Sequence, residues 1–155
     1  MQRVAVFSDT HGQLSRLPAA LEKAGRLDTF VHLGDYDEDA ARIAVLLPVP
    51  YAAVRGNCDY GSRLPKEHIA HFEDASVMLV HGDAYRSEYE LALFAEENGC
   101  QAVLFGHTHT PLVTAQGPIL IINPGSLSLP RYCSEPSFAV LTITGSDIRV
   151  QMLSV

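Results

Sequence analysis

Gly106-His107-Thr108-His109 follows directly on the apolar run Ala102-Val103-Leu104-Phe105. A run this short and apolar reads as a buried strand. On an extended chain residues i and i+2 point to the same side, whereas on a helix they diverge. The end of the strand is therefore expected to present the imidazoles of His107 and His109 side by side, where they can serve two adjacent metal ions, one each.

Working outward, the first half of the chain repeats one pattern. Val4 to Ser8 reads as a buried strand, followed by the loop Asp9-Thr10-His11-Gly12 and then by Leu14, Leu17, Leu21 and Ala24 at helical spacing. Phe30 to Leu33 is a second strand ending in Gly34-Asp35. Asp37-Glu38-Asp39 opens a helix with Ala40, Ile43, Ala44 and Leu47 inward, and Tyr51 to Val54 is a third strand ending in Arg55-Gly56-Asn57-Cys58-Asp59. Strand-loop-helix units in succession predict a parallel sheet. In the second half, His68–Phe72 and Val77–Val80 read as an antiparallel pair ending in His81-Gly82-Asp83. Tyr89 to Asn98 reads as a helix with Leu91, Phe94 and Ala95 inward, stopped by Gly99. Pro111–Ala115 and Ile119–Ile122 flank a Gly117-Pro118 turn, with Asn123-Pro124-Gly125-Ser126 beyond it. Phe138–Ile143 and Ile148–Leu153 form a closing hairpin. Residues 1–155 read as a single domain, without repeat or linker.

Asp9, Asp35, Asn57, His81 and His107 each fall just past the carboxyl end of an expected strand, which is where open α/β sheets place their ligand sites. All five are side chains that hold divalent metals. Asp35 is the natural bridge between two ions, because a carboxylate has two oxygens to give. Asp9 and His11 form another i, i+2 pair for one ion, and Asn57 offers a neutral amide oxygen to the other. A nitrogen and oxygen shell without thiolate suits manganese first, with iron, zinc or nickel as alternatives.

The composition agrees. Of the residues, 47% are hydrophobic and 19% charged, which excludes a disordered chain. The net charge of −7 argues against nucleic acid bound over a broad basic surface, and two divalent ions would bring it to −3. No apolar stretch reaches the length of a membrane span, and the N-terminus turns polar too early for a signal peptide. Cys58, Cys100 and Cys133 are odd in number and lack CxxC spacing, which points to a reducing cytoplasm.

Asp9-x-His11, Gly34-Asp35, Gly56-Asn57-Cys58-Asp59, His81-Gly82 and Gly106-His107-Thr108-His109 resemble the calcineurin-like metallophosphoesterases, and within them the small bacterial and archaeal YfcE-type phosphodiesterases. The resemblance implies two mixed β-sheets packed face to face with helices outside, a four-layer αββα arrangement. It implies Asp9, His11, Asp35 and His109 around one metal, and Asp35, Asn57, His81 and His107 around the other. It also implies hydrolysis of a small-molecule phosphoester by a hydroxide bridging two ions. Larger members carry a histidine where this chain has Cys58, and many small ones a second histidine where it has Asp83. Proton delivery to the leaving group is thereby weakened, and diesters with acidic leaving groups are the expected substrates. A phosphomonoesterase is the alternative enzyme, and a binding scaffold without catalysis, as in a retromer subunit of this fold, the alternative class. Asp35, Asn57, Cys58, Asp59 and His107 are the candidate catalytic residues. Arg55 and Arg131 are candidate phosphate clamps, with ordinary surface positions as the alternative, and by resemblance Asn123 lines the site. Asp37, Glu38 and Asp39 read as a helix-start run favoured by the macrodipole rather than as ligands. His32 reads as structural, and His68 and His71 as surface residues. The apolar closing hairpin leaves a homo-oligomer open.

Overall fold

The computed structural model describes all residues, Met1–Val155. Ten strands and three helices run in the order β1 (Gln2–Phe7), α1 (Leu17–Ala24), β2 (Thr29–His32), α2 (Glu38–Leu46), β3 (Tyr51–Ala53), β4 (Glu67–Phe72), β5 (Ala75–Val80), α3 (Glu88–Glu97), β6 (Ala102–Leu104), β7 (Pro111–Gln116), β8 (Ile119–Pro124), β9 (Ser137–Thr144) and β10 (Asp147–Ser154). They form two five-stranded mixed sheets, β10-β9-β1-β2-β3 and β4-β5-β6-β8-β7. In the first, β1, β2 and β3 are parallel and the β9–β10 hairpin is added antiparallel to β1. In the second, β5, β6 and β8 are parallel, and β4 and β7 pair antiparallel at the edges.

Side-chain alternation fixes the layers. Val4 and Val6 of β1 join Val31, Val77, Leu79, Leu104, Ile122 and Leu141 in one core between the sheets. Ala5 and Phe7, pointing the other way, pack with Phe30 and Phe138 against Leu17 and Ala20 of α1 and Ile43 of α2. Met78, Val103 and Ile121 face outward from the second sheet onto Leu91, Ala92 and Ala95 of α3. Strands apolar on both faces must be covered on both faces, which gives the order helices, sheet, sheet, helix. Phe94, expected to point inward from α3, is only half-buried and leans on Tyr85 with ring centroids 5.6 Å apart, while Ala92 takes the inner position.

Face-to-face packing sets the two parallel cores side by side with their carboxyl ends at one edge. Hydrogen bonds join the sheets there. The His107 N–H donates to Asp9 Oδ2 at 2.9 Å, and Nδ1 of His81 lies 2.7 Å from the Leu33 carbonyl. A Cβ on Gly106 would stand 1.9 Å from Ser8 Oγ, so only glycine lets the loop after β6 approach the loop after β1 this closely.

Candidate metal centre

The loops after β1, β2, β3, β5 and β6 and the segment after β8 converge at this edge. Asp9, His11, Asp35 and His109 bring four ligand atoms within 4.8 Å of one another. His109 Nε2 is 3.3 Å from Asp9 Oδ1, His11 Nε2 is 3.4 Å from His109 Nε2, and His11 Nε2 is 3.6 Å from Asp35 Oδ2. A second group adjoins it. Asn57 Oδ1 is 3.0 Å from His81 Nε2 and 3.1 Å from His107 Nδ1, and His81 Nε2 is 3.4 Å from Asp35 Oδ1. Asp35 thus turns one oxygen to each group. Around an ion bonded at roughly 2.1 Å, neighbouring ligand atoms are about 3.0 Å apart in an octahedron and about 3.4 Å in a tetrahedron. The observed spacings lie close to both.

Three features show that these atoms want a cation. Asp9 Oδ1 is buried and accepts no hydrogen bond, although a buried carboxylate oxygen without a donor is costly. The Nδ1–H groups of His81 and His109 donate to the carbonyls of Leu33 and Leu129 at 2.7 and 2.6 Å, which turns their Nε2 lone pairs toward the site, the usual outer support of a metal-binding imidazole. With its Nδ1–H committed to Leu33, His81 meets Asn57 Oδ1 as acceptor against acceptor at 3.0 Å, and Nδ1 of His107 lies 3.1 Å from the same oxygen. The titration behaviour is consistent. Burial alone would push the Asp35 carboxyl up, but His81 and the Cys58 N–H outweigh it and hold it well below the usual carboxylate range. Burial opposes charge on His81, yet the carboxylates of Asp35 and Asp9 raise its pKa; Asp9 likewise raises that of His109 against burial. The residues present fit divalent ions, whose charge would take the place of these protons.

The loops are held in conformations that ordinary turns avoid. Nine non-glycine residues have positive φ, and Asp9, His11, Asp35, His107 and His109 are five of them. Each such residue is strained, and strain of this kind persists only where surrounding structure imposes it. His107 and His109 are consequently not on an extended strand: β6 stops at Leu104, and φ is 64° and 56° at the two histidines. They reach different groups of ligand atoms because of this left-handed backbone, not because of strand alternation, which corrects the expectation from their spacing.

The imposed order comes from buried polar groups. Asp39, read as part of a helix-start run, is 1% exposed. Its Oδ2 accepts the Thr10 hydroxyl at 2.6 Å and the Gly12 N–H at 2.8 Å, and its Oδ1 accepts Arg42 at 2.7 Å. Thr10 in turn accepts Nε2–H of His32, whose Nδ1 accepts the Gly34 N–H; burial pushes the pKa of this histidine down and keeps it neutral. The chain Gly34–His32–Thr10–Asp39 thereby ties the loop of Asp35 to the loop of Asp9 and His11. The signal was in the sequence: Asp39 precedes Ile43 by four residues and so shares its inward face. Ser126, from the Asn123–Ser126 stretch expected to line the site, and Ser128, unnoticed in the sequence, donate their hydroxyls to the carbonyls of Asp9 and Thr10, both at 2.8 Å.

Two candidate residues stand elsewhere than expected. Both oxygens of Asp59 accept backbone N–H groups, from Asp35 and Gly56 on one and from Tyr36 and Asp37 on the other, at 2.7–3.1 Å. Asp59 is a clasp between two loops, with no oxygen free for a reacting atom. Asn123 is fully buried, its amide donating to Gly106 O and Thr108 Oγ1 and accepting from Gly125 N–H, so it supports the histidine loop and does not face a substrate. Arg55 is half-buried on a cleft shared with Asn57; Arg131 is exposed beside His109, whose carbonyl accepts its N–H at 3.2 Å. Cys58 is exposed next to Asn57; burial of its sulfur and the Asp35 charge raise its pKa. No helix is long and apolar enough to cross a membrane.

Residues 2–146 match the calcineurin-like phosphoesterase superfamily domain. A probable metallophosphoesterase of Methanothermobacter thermautotrophicus is 30% identical, over 97% of this chain and 91% of its own. The phosphodiesterase YfcE of Escherichia coli is 29% identical over 91% of this chain and 88% of its own. A predicted phosphoesterase from Streptococcus pneumoniae superimposes with a TM-score of 0.81 at 26% identity, covering 99% of this chain and 89% of that one. On the extent of this match, and with its fold, the chain belongs to the calcineurin-like phosphoesterase superfamily.

Proposed function

We propose that this metal-dependent phosphoester hydrolase acts on phosphodiesters and uses two divalent ions. Asp9, His11, Asp35 and His109 would hold one, and Asp35, Asn57, His81 and His107 the other. Manganese is the first choice because the shell mixes nitrogen and oxygen without thiolate. The observation that carries the reading is Asp35, whose two oxygens lie 3.6 and 3.4 Å from histidine nitrogens of different groups. When bound, the ions lower the pKa of a water between them and neutralise charge on the phosphoryl oxygens.

The residues of the chain set which esters react well. Their contribution is positioning: loops braced by buried polar groups present the ligand atoms in place, so little reorganisation is needed as charge develops. As water attacks phosphorus, the opposite P–O bond breaks and its electron pair leaves with the departing oxygen. Cys58 stands where larger relatives carry a histidine, and a thiol with a raised pKa is a reluctant proton donor at neutral pH. The leaving group departs largely as an anion, which favours acidic leaving groups. Two arginines, Arg55 and Arg131, are a modest positive supplement for a dianionic monoester, so a diester ranks ahead. Three unpaired cysteines suit work in a reducing cytoplasm.

The test is manganese-dependent hydrolysis of bis(p-nitrophenyl) phosphate by the wild type beside Asp35→Asn, with the matched monoester in parallel. Metal-dependent turnover of the diester that disappears in the variant supports the proposal. Faster turnover of the monoester would replace it with a phosphomonoesterase. No turnover of any ester by protein carrying two ions would favour a binding scaffold.

A further inference from the structure

A cleft of about 340 Å³ opens beside the second group of ligand atoms, with which it shares Asn57. Arg55 and Lys66 stand on its walls and Tyr60, 94% exposed, at its mouth. Neither cation forms an ion pair, although the chain carries 18 acidic residues. The Arg55 guanidinium makes a single long hydrogen bond, 3.4 Å to the Ser62 carbonyl, and its Nε is buried without an acceptor. The two carboxylates nearby do not answer it. Asp59 is committed to four backbone N–H groups, and Asp83 lies exposed on the cleft wall, paired with neither cation.

A guanidinium drawn partly out of water and left short of acceptors, lining the same cleft as a second cation, is arranged for an anion with several acceptor oxygens. Phosphate matches this best, since Arg binds it through a fork of donors and Lys adds a point charge. A volume of about 340 Å³ exceeds what one phosphate needs and lies at the lower end of small-molecule sites, so a sugar-sized linker fits with it. The exposed ring of Tyr60 offers that linker an apolar face.

Resting on the phosphodiesterase reading, we infer that the Arg55–Lys66 cleft binds a second phosphate of the substrate, so that the enzyme selects diesters carrying a further phosphate group over simple diesters. Lys66 becomes a specificity-determining residue. The scissile ester lies at the metal groups, and the second phosphate lies in the cleft beyond Asn57.

The test compares thymidine 5′-(p-nitrophenyl phosphate) with the same diester bearing a 3′-phosphate. Binding of thymidine 5′-monophosphate and thymidine 3′,5′-bisphosphate to the manganese-loaded protein is measured by calorimetry beside it. One charge-assisted contact predicts that the wild type prefers the phosphorylated member of each pair by about tenfold or more, in kcat/KM and in Kd. Lys66→Gln and Arg55→Gln should each bring both ratios toward one. Lys23→Gln, on α1 with its ammonium on the Ser154 carbonyl, removes the same charge elsewhere and should leave the ratios unaltered. Using a ratio cancels any general loss of activity. Ratios near one in the wild type, or ratios untouched by both cleft variants, overturn the inference while leaving the phosphodiesterase intact. If neither ester is hydrolysed, the phosphodiesterase reading fails, and the calorimetric ratio still decides whether the cleft binds a second phosphate.

Discussion

Replacing Asp39 by Asn should damage a metal centre that Asp39 does not touch. The carboxylate is 1% exposed and accepts three hydrogen bonds of 2.6–2.8 Å, from Thr10, Gly12 and Arg42. An asparagine of the same shape keeps one acceptor oxygen. If that oxygen faces Thr10 and Gly12, the amide N–H₂ meets the Arg42 guanidinium, donor against donor. If it turns the other way, a buried hydroxyl and a partly buried N–H lose their acceptor. Either arrangement forfeits at least one charge-assisted bond, about 1.5–3 kcal/mol. For a chain of this length that lowers Tm by about 3–12 °C. The loop of Asp9 and His11 then loosens, and loss of such outer support typically weakens metal binding by about 10- to 100-fold. Thermal unfolding in chelator measures the first effect, and manganese titration of the metal-free protein the second. A variant with unchanged Tm would show that the network contributes nothing. A variant that melts earlier but binds manganese as tightly as the wild type would refute the coupling from Asp39 to the ligands.

Cys58→His should raise turnover of alkyl phosphodiesters more than that of p-nitrophenyl diesters, because a better proton donor matters most for a poor leaving group; equal change on both would remove Cys58 from the explanation. Gly106→Ala would set a Cβ 1.9 Å from Ser8 Oγ and 2.6 Å from Asp9 Oδ2, and should abolish manganese binding while the far-ultraviolet dichroism stays native; unimpaired binding would show that the two loops can part without cost. His32 provides a pH dependence. Burial holds its pKa below the ordinary value of 6.5, so the unfolded chain takes up a proton near that pH which the folded chain refuses. Its stabilisation is complete above pH 6.5 and is lost as pH falls toward the folded pKa. In chelator, urea midpoints should therefore fall more steeply between pH 7.5 and 5.5 in the wild type than in His32→Gln; the reverse order would mean that the buried imidazole is charged.

Buried strands and their ligand-bearing edge were legible in the sequence, while the stacking of two sheets came from the resemblance. Strands such as Val4–Phe7 and Val77–Val80 are apolar at every position and so need cover on both faces. A polar residue of a type that can hold a metal, after each of β1, β2, β3, β5 and β6, marked one end of both sheets before any packing was known. The ion-binding residue types were legible because few side chains serve that chemistry. Other features were decided only when the two sheets closed on one another. His11 and His109 are 98 residues apart and meet at 3.4 Å because the core of Val6, Leu79 and Leu104 aligns the two parallel edges. The left-handed backbone at His107 and His109 is paid for by contacts from other loops, so no local propensity foretells it. Asp39, Asp59 and Asn123 have side chains that suit a helix start, a catalytic site or a substrate pocket equally well. Most of their partners are backbone N–H and C=O groups, which every residue carries and which sequence therefore cannot distinguish. Burial of those groups, a property of the assembled loops alone, made the three residues supports of the site.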